Sequence, residues 1–442
     1  MRSNHRISFY SLILVGVALF AMRYVQQKPA DTLPMKITTW DALGYYMYLP
    51  ATFIYKDLRE LKFYPSIENK YQLQGEAGNF YQFMKTENGY YTGKYFIGVA
   101  ILQMPFFLIS HFLALSLGEG DGFSQIYQAG IGYGAVFWAF LSLIYFRRFL
   151  LQYYDDLTVG IGLLLGILGT NIFQYISVDS AQSHAWIFPL YVYIVILSDT
   201  WHREKTILKS ILLGLTVGAA TICRPTEAII FVIPMLWNYQ KGNFWRYWWE
   251  NRILVLWSEL GFIAVLSVQL FYWKYSTGQW VFDVGSKWHF LNPHFRVLFG
   301  EEKGWLIYTP LCWLMVWGLF LITDKKFSVS VKTFIFLNIW IVIAWAIWRY
   351  GGSYSARALS QSTPVMMLPM LAAIQFLIHS KYKILVYAAF TYFLSLNIFQ
   401  IFQYNNGVLH ADRNTWEYYR RIYWKTSATE EDKKYLQSDA EQ

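Results

Sequence analysis

Twelve apolar stretches set the limits on what this chain can be. They run at about 7–22, 95–117, 125–146, 157–176, 184–200, 207–222, 226–240, 253–273, 304–323, 332–348, 361–379 and 384–402. Several are close to the ~17 residues needed to cross a bilayer. In hydrocarbon every peptide group must find its partner within the chain, so such stretches fold as helices. The expected fold is an all-α polytopic membrane protein with 11–13 transmembrane helices and a large first outer loop carrying short interfacial helices. Residues 1–402 read as a single transmembrane domain with its first loop at about 24–94, and 403–442 read as a polar tail. A hydrophobic fraction of 55% and a mean hydropathy of +0.27 agree with this. The net charge of +9 belongs to cytoplasmic Lys and Arg and does not imply a nucleic-acid partner. Cys223 and Cys312 lie in or beside apolar stretches, so no disulfide framework or cysteine metal site is implied.

The chain begins with Arg2, His5 and Arg6 before the apolar run Ile7–Met22, with no small-residue cleavage pattern before Arg23. This reads as an uncleaved first helix whose N-terminus is cytoplasmic. The connections His202–Lys209, Lys241–Arg252, Asp324–Lys332 and Lys381–Lys383 are basic and fit the cytoplasmic side together. The segments 176–184, 223–225, 274–303 and 349–360 then face outward with the tail. Counting forward from the first helix gives the opposite parity, so one stretch between 95 and 176 is not a simple crossing, or one crossing is hidden in the loop. Four agreeing loops outweigh the count, and the number of crossings is odd, 11 or 13. The expected location is a membrane, with the site facing the exterior.

The outward face collects the candidate chemistry. Ile37–Thr52, ITTWDALGYYMYLPAT, sets Asp41 beside Trp40, Tyr45, Tyr46 and Tyr48. The plain alternative is a solvated aspartate capping a short interfacial helix. The other acids of the loop are Asp57, Glu60, Glu68, Glu76 and Glu87; Asp57 and Glu60 sit in YKDLRE, where pairing at three-residue spacing accounts for them. Tyr45–Leu58 fits an amphipathic helix lying on the membrane. Arg224 falls in CRPT, where Pro225 breaks a helix and frees backbone groups. A guanidinium there either snorkels to a headgroup or binds a phosphate. SVDSAQSH carries Asp179 and His184 at a spacing unlike a helical zinc pair, and His184 reads as a helix-start histidine. Outward Asp283, Lys287, His289, His294 and Arg296 follow, then Arg349, Tyr350 and Arg357 in WRYGGSYSAR. GIGYG at 130–134 reads as close helix packing and Gly351–Gly352 as a tight turn.

These pieces resemble, in order, the integral-membrane glycosyltransferases of the type C superfamily. That group includes protein O-mannosyltransferases, lipid A aminoarabinose transferases and oligosaccharyltransferase catalytic subunits. The resemblance is nearest to a bacterial mannosyltransferase-like branch and runs from about 38 to 365. It rests on WDALGYY, GKYFIGVAILQMPFF, SHAWIF, GLTVGAATICRPTEAIIFVIP and WRYGGSYSARALSQSTP. It implies a polyprenyl-phosphate sugar donor, a glycan, lipid or protein acceptor at the outer face, and an acid in the first loop. By position Asp41 matches that acid, and Arg224 matches a basic residue near the lipid phosphate. Lys94, Tyr45, Tyr46, His184 and Arg357 complete the expected substrate contacts. Asp41 is followed by Ala42 rather than by a second acid, and no Asp-x-Asp pattern supports Asp179. No cofactor is therefore expected to be required, while a divalent metal on Asp41 and Asp179 stays open.

Glycosyl transfer from a lipid phosphate places positive charge on the sugar and negative charge on the departing phosphate. A cation at that oxygen and a carboxylate that takes the acceptor proton are the groups this chemistry needs. A flippase of lipid-linked sugars is the competing reading. Transporters often show matching halves, which this hydropathy does not. A membrane acyltransferase would need a histidine between helices, for which His111 is the remote candidate.

Overall fold

The computed structural model describes residues 5–26, 37–74, 80–239 and 242–438; Arg2, Glu76 and Lys241 lie outside them. The helices in order begin with α1 (Arg6–Gln26), α2 (Asp41–Tyr46), α3 (Tyr48–Phe53) and α4 (Tyr64–Tyr71). A hairpin, β1 (Phe83–Lys85) and β2 (Tyr91–Gly93), precedes α5 (Gly98–Ser116), α6 (Gln125–Leu150), α7 (Asp156–Leu163) and α8 (Ile172–Ser177). Next come α9 (Ser183–Arg203), α10 (Ile207–Cys223), α11 (Val232–Leu236), α12 (Phe244–Glu250) and α13 (Arg252–Thr277). The chain ends with α14 (Arg296–Phe299), α15 (Trp305–Tyr308), α16 (Trp313–Leu321), α17 (Ser328–Ile343), α18 (Thr363–Ile378), α19 (Lys383–Asn405), α20 (Trp416–Ile422) and α21 (Glu430–Lys433). The protein is an all-α polytopic membrane protein. Among the described residues six helices are long and apolar enough to cross a membrane, and five more apolar helices have 10–17 residues. The twelve stretches of the sequence thus include many that are short or broken.

The breaks follow from local chemistry. Pro225 lacks an N–H, so α10 stops at Cys223, Arg224 turns extended (φ −151°), and a 3-10 segment, Pro225–Phe231, takes over. Asp155 caps α7 by accepting from the Thr158 N–H at 3.0 Å. After α7 the backbone widens into a π segment, Leu164–Leu168, before α8.

By internal contacts the chain divides into two interleaved units. The first-loop unit holds Leu19–Leu143 and Ile176–Gly285; the C-terminal unit holds Met1–Ala18, Ile144–Tyr175 and Ser286–Gln442.

In the first-loop unit, α10 packs along α13 through Gly214 and Gly261. A Cβ at Gly214 would meet the Ser258 carbonyl, so close backbone contact requires the glycine. At the basic end His202 joins two connections, pairing with Tyr247 Oη (2.8 Å) and the Pro234 carbonyl (2.9 Å). Short helix α12 exposes Trp245 (83%) and Trp249 (70%) there, as interfacial tryptophans do. The opposite end carries the first loop. The single amphipathic helix expected over Tyr45–Leu58 is instead two short helices, α2 and α3. Ala42–Ala51 are all buried, leaving no polar face to lie in water. The hairpin β1–β2 was not expected either.

Helix α5 bears on the parity conflict. Before it, Tyr95 reaches Asp41 in α2; after it, Gly122 accepts from Tyr46 and Asp121 binds Lys70 and Tyr71 of α4. Between, Phe107 packs on Tyr46 and Phe53, and Gln103 donates to the Ala181 carbonyl at 3.2 Å. Both ends of α5 therefore meet first-loop residues, although its length and composition make it a candidate span.

In the C-terminal unit the basic end gathers the start of α1, the end of α6 and the connections at 324–327 and 375–379. The N–H groups of Ile7 and Ser8 donate to Asp156 (2.9 and 3.1 Å), and Arg147 Nε donates to Ser8 Oγ (2.8 Å). A cavity of about 560 Å³ opens there, lined by Tyr153, Tyr154, Asp324, Phe327, Gln375 and His379 among others. The tail is ordered: Gln403 Nε2 donates to the Ile422 and Lys425 carbonyls, both at 2.7 Å, and Asn414 Nδ2 to the Glu302 carbonyl at 2.8 Å.

A cysteine at Gly118 and one at Gly407 are each expected to react with a membrane-impermeant maleimide from the same side as one at Asn88. Labelling of Gly118 only after permeabilisation would make α5 a crossing.

Candidate functional site

The site is built around the start of α2. Thr38 is pinned to α6 by Gln128, whose Oε1 accepts from the Thr38 and Ile37 N–H groups at 3.1 and 2.9 Å. One turn along α6, Gly132 lies against Ile37, Arg23 and Ser180. Trp40 then adopts φ 51°, a left-handed conformation that costs a bulky side chain about 1–3 kcal/mol. Its carbonyl accepts from Gln82 Nε2 at 3.0 Å, and its ring stays 49% exposed. Asp41 follows, half-buried as the first residue of α2.

Two phenols hold the Asp41 carboxylate. Tyr81 Oη and Tyr95 Oη both donate to Oδ1, at 2.8 and 2.5 Å. Burial first, then the Asp41 charge, push the Tyr95 hydroxyl far above its ordinary range, so it remains a donor. Tyr45 packs its ring 4.7 Å from that of Tyr95, and Lys94 Nζ lies over the Tyr81 ring at 5.7 Å. Gly44 makes room: a Cβ there would stand 2.2 Å from Tyr95 Cδ2. Helix α13 braces the hairpin that delivers these groups. Tyr272 Oη accepts from the Gly93 N–H, Gln269 Oε1 accepts from the Ile97 N–H, and Ser276 Oγ bonds Thr92.

Three residues past Tyr95, Gly98 sits against the backbone of Ile222 and Cys223, a Cβ there being 2.5 Å from both. The short stretch from Tyr95 to Gly98, spanning about 10 Å at most, therefore joins the Asp41 group to the α10 break. Arg224 is half-buried at that break, and among the described residues its guanidinium makes no hydrogen bond or ion pair. Beside it Glu227 is buried (3% exposed) and accepts from Tyr191 Oη. Arg23 of α1, itself 1% exposed, donates to the Val178 carbonyl (2.8 Å) and Ser180 Oγ (3.0 Å) and acts electrostatically on Asp179.

The other expected residues fall elsewhere. Tyr46 is fully buried and gives its hydroxyl to the Gly122 carbonyl, as a core tyrosine does. His184 is buried (3% exposed) in the first turn of α9. His111 Nδ1 pairs with Tyr127 Oη at 2.5 Å and its ring stacks on Phe107. Arg357 belongs to the C-terminal unit, as the first residue of the 3-10 turn leading into α18. Tyr81, Tyr95, Gln82, Arg23 and Glu227 were not singled out from sequence. The tyrosines come from 40 and 54 residues beyond Asp41. Glu227 carried a signal, an acid inside an apolar stretch.

For a divalent cation the available carboxylates are Asp41 and Asp179. No group of three or more His, Cys, Asp or Glu side chains gathers among the described residues. Asp179 also lies in the field of Arg23, and two phenols occupy Asp41 Oδ1. This donor set does not by itself make a metal centre, and no step is routed through a metal.

No family model matches the chain, and no curated protein matches it by sequence. Its fold is similar to a solved structure of the archaeal oligosaccharyltransferase AglB from Archaeoglobus fulgidus in complex with an inhibitory peptide and a dolichol-phosphate. The TM-score is 0.52 at 10% identity, over 97% of this chain and 58% of that one. The likeness is one of fold, and the chain spans little more than half of that protein's length.

Gly44→Ala is expected to displace the Tyr95 ring, overpacking of the kind that costs about 1–3 kcal/mol. A lowered thermal midpoint of the purified protein, larger than that of Tyr95→Phe, is the measured outcome.

Proposed function

We propose that the chain is a membrane glycosyltransferase that moves a sugar from a polyprenyl-phosphate donor to a glycan, lipid or protein acceptor at the outer face of a bacterial cytoplasmic membrane. The observation that carries this reading is Asp41, a carboxylate gripped by two phenols beside an exposed, backbone-strained tryptophan. The fold it shares with an oligosaccharyltransferase solved with a dolichol-phosphate supports the donor class.

In this reading Tyr81 and Tyr95 fix the carboxylate, and Asp41 accepts the proton of the acceptor hydroxyl as its oxygen attacks the anomeric carbon. The bond from that carbon to the phosphate oxygen breaks, and the phosphate leaves with the electron pair. Arg224 receives the charge that builds on it, an interaction stronger in the transition state than before. Trp40 and Tyr45 offer aromatic faces to the sugar, and Lys94 adds positive charge beside Tyr81.

Asp41→Asn preserves shape and removes the proton acceptor. Turnover with a polyprenyl-phosphate sugar is expected to fall by about 10²-fold or more in folded protein. Near-normal turnover in Asp41→Asn, with loss in Asp179→Asn, would move the base. Insensitivity to both would favour a flippase.

Arg224→Ala is expected to weaken donor use more than Arg224→Lys, because a single charge suffices unless contact is bidentate. Equal donor use by Arg224→Ala and the unmodified chain would leave the side chain a headgroup anchor.

A further inference from the structure

The C-terminal unit contains a second polar centre away from its apolar helices, at the turn following α17. Three residues within six adopt left-handed φ: Tyr350 (58°), Gly351 (65°) and Ser355 (55°). Two are not glycine, so the surroundings hold the turn in place against strain. Lys303, 5% exposed, provides the hold. Its Nζ donates to the Gly351 carbonyl at 2.6 Å and to Ser353 Oγ at 3.2 Å, and pairs with Asp412. Burial, against the attraction of Asp412, pushes the Lys303 ammonium down to about 8, and Arg357 and Arg349 add to that repulsion. Both guanidinium groups therefore lie within electrostatic reach of Lys303.

The turn itself points to a ligand. Gly351 and Gly352 are exposed, and among the described residues neither N–H donates a hydrogen bond. The Arg357 guanidinium is 3.7 Å from where a Gly351 Cβ would stand. Gly352 has no positive φ, and the nearest atoms to a Cβ there are 3.4 Å (Ala411 Cβ) and 3.7 Å (Asp412 Oδ2) away. Neither conformation nor packing requires glycine at 352, and the missing side chain leaves its peptide N–H open to close approach. Arg357 also opens a 22-residue helical stretch, whose positive dipole end adds to the field. The nearby Arg296–Glu302 pair is self-compensated, and Arg296 and Arg349 share the Trp348 ring at 5.2 Å each.

We propose that this turn binds a phosphate group, with the Gly351 and Gly352 N–H groups and the Arg349 and Arg357 guanidiniums as its donors and Lys303 holding the loop in shape. Planar guanidinium forks and adjacent peptide N–H groups match the oxygens of a phosphate ester. The site does not depend on Asp41 being a base.

The test is equilibrium binding to the purified full-length chain in detergent. Inorganic pyrophosphate, a polyprenyl phosphate and phosphatidylglycerol are titrated in turn. Pyrophosphate is expected to bind, and Arg349→Gln and Arg357→Gln each to weaken it by about tenfold or more, with Arg357→Lys weakening it less. Gly352→Ala, which the packing admits, is expected to weaken it as well and serves if an arginine variant fails to fold. Pyrophosphate binding is read without turnover, so failure of this proposal and failure of the catalytic reading are distinguishable. Tighter binding of the polyprenyl phosphate names a lipid-linked substrate as the source, and equal binding of phosphatidylglycerol names the bilayer headgroup. No pyrophosphate binding by the unmodified chain, or equal binding by folded Arg349→Gln, Arg357→Gln and Gly352→Ala, overturns the proposal.

Discussion

A peptide group in hydrocarbon that finds no partner costs several kcal/mol, and that penalty shapes this molecule more than any single contact. Regular helix is the cheap solution, so each departure from it needs a local reason. Pro225 supplies one at the end of α10, where the backbone opens beside Arg224 and buried Glu227. The run from Ala344 to Ala356 supplies another, where Lys303 takes up the Gly351 carbonyl. The interruptions are thus where charged side chains and irregular backbone meet, each supporting the other.

The Asp41 group shows the same economy outside the helices. One carboxylate needs two phenols, the phenols need a hairpin, and the hairpin needs α13. Gln82 links the pieces, with its amide on the Trp40 carbonyl and on Gln74 while its own carbonyl accepts from the Lys94 N–H. Glycine enters where two of these layers touch, since any side chain at Gly44 would expel Tyr95.

Much of the architecture was legible in the residues. Apolar segments gave the helical class, and Asp41 and Arg224 stood out as charges beside aromatic and apolar stretches. What was illegible is equally specific. Length and hydropathy mark α5 as a candidate span, because they record how apolar a helix is and not that both its ends meet the first loop. The first loop's tyrosines look interchangeable in sequence, yet Tyr46 serves the core while Tyr81 and Tyr95 serve the acid. Only contacts between residues 40 to 76 positions apart separate those roles. At 10% identity the likeness to an oligosaccharyltransferase lies in helix arrangement, which depends on where apolar faces fall rather than on particular side chains.

Helix α13 has one further property. Only 11% of its spanning window is buried, yet Gln269, Tyr272 and Ser276 near its end hold the hairpin that carries Tyr95. Such a helix takes its tilt from the neighbour it packs on, here α10, where Gly214 meets the Ser258 carbonyl. Any shift of α13 along α10 would be carried to the hairpin and so to the partners of Asp41.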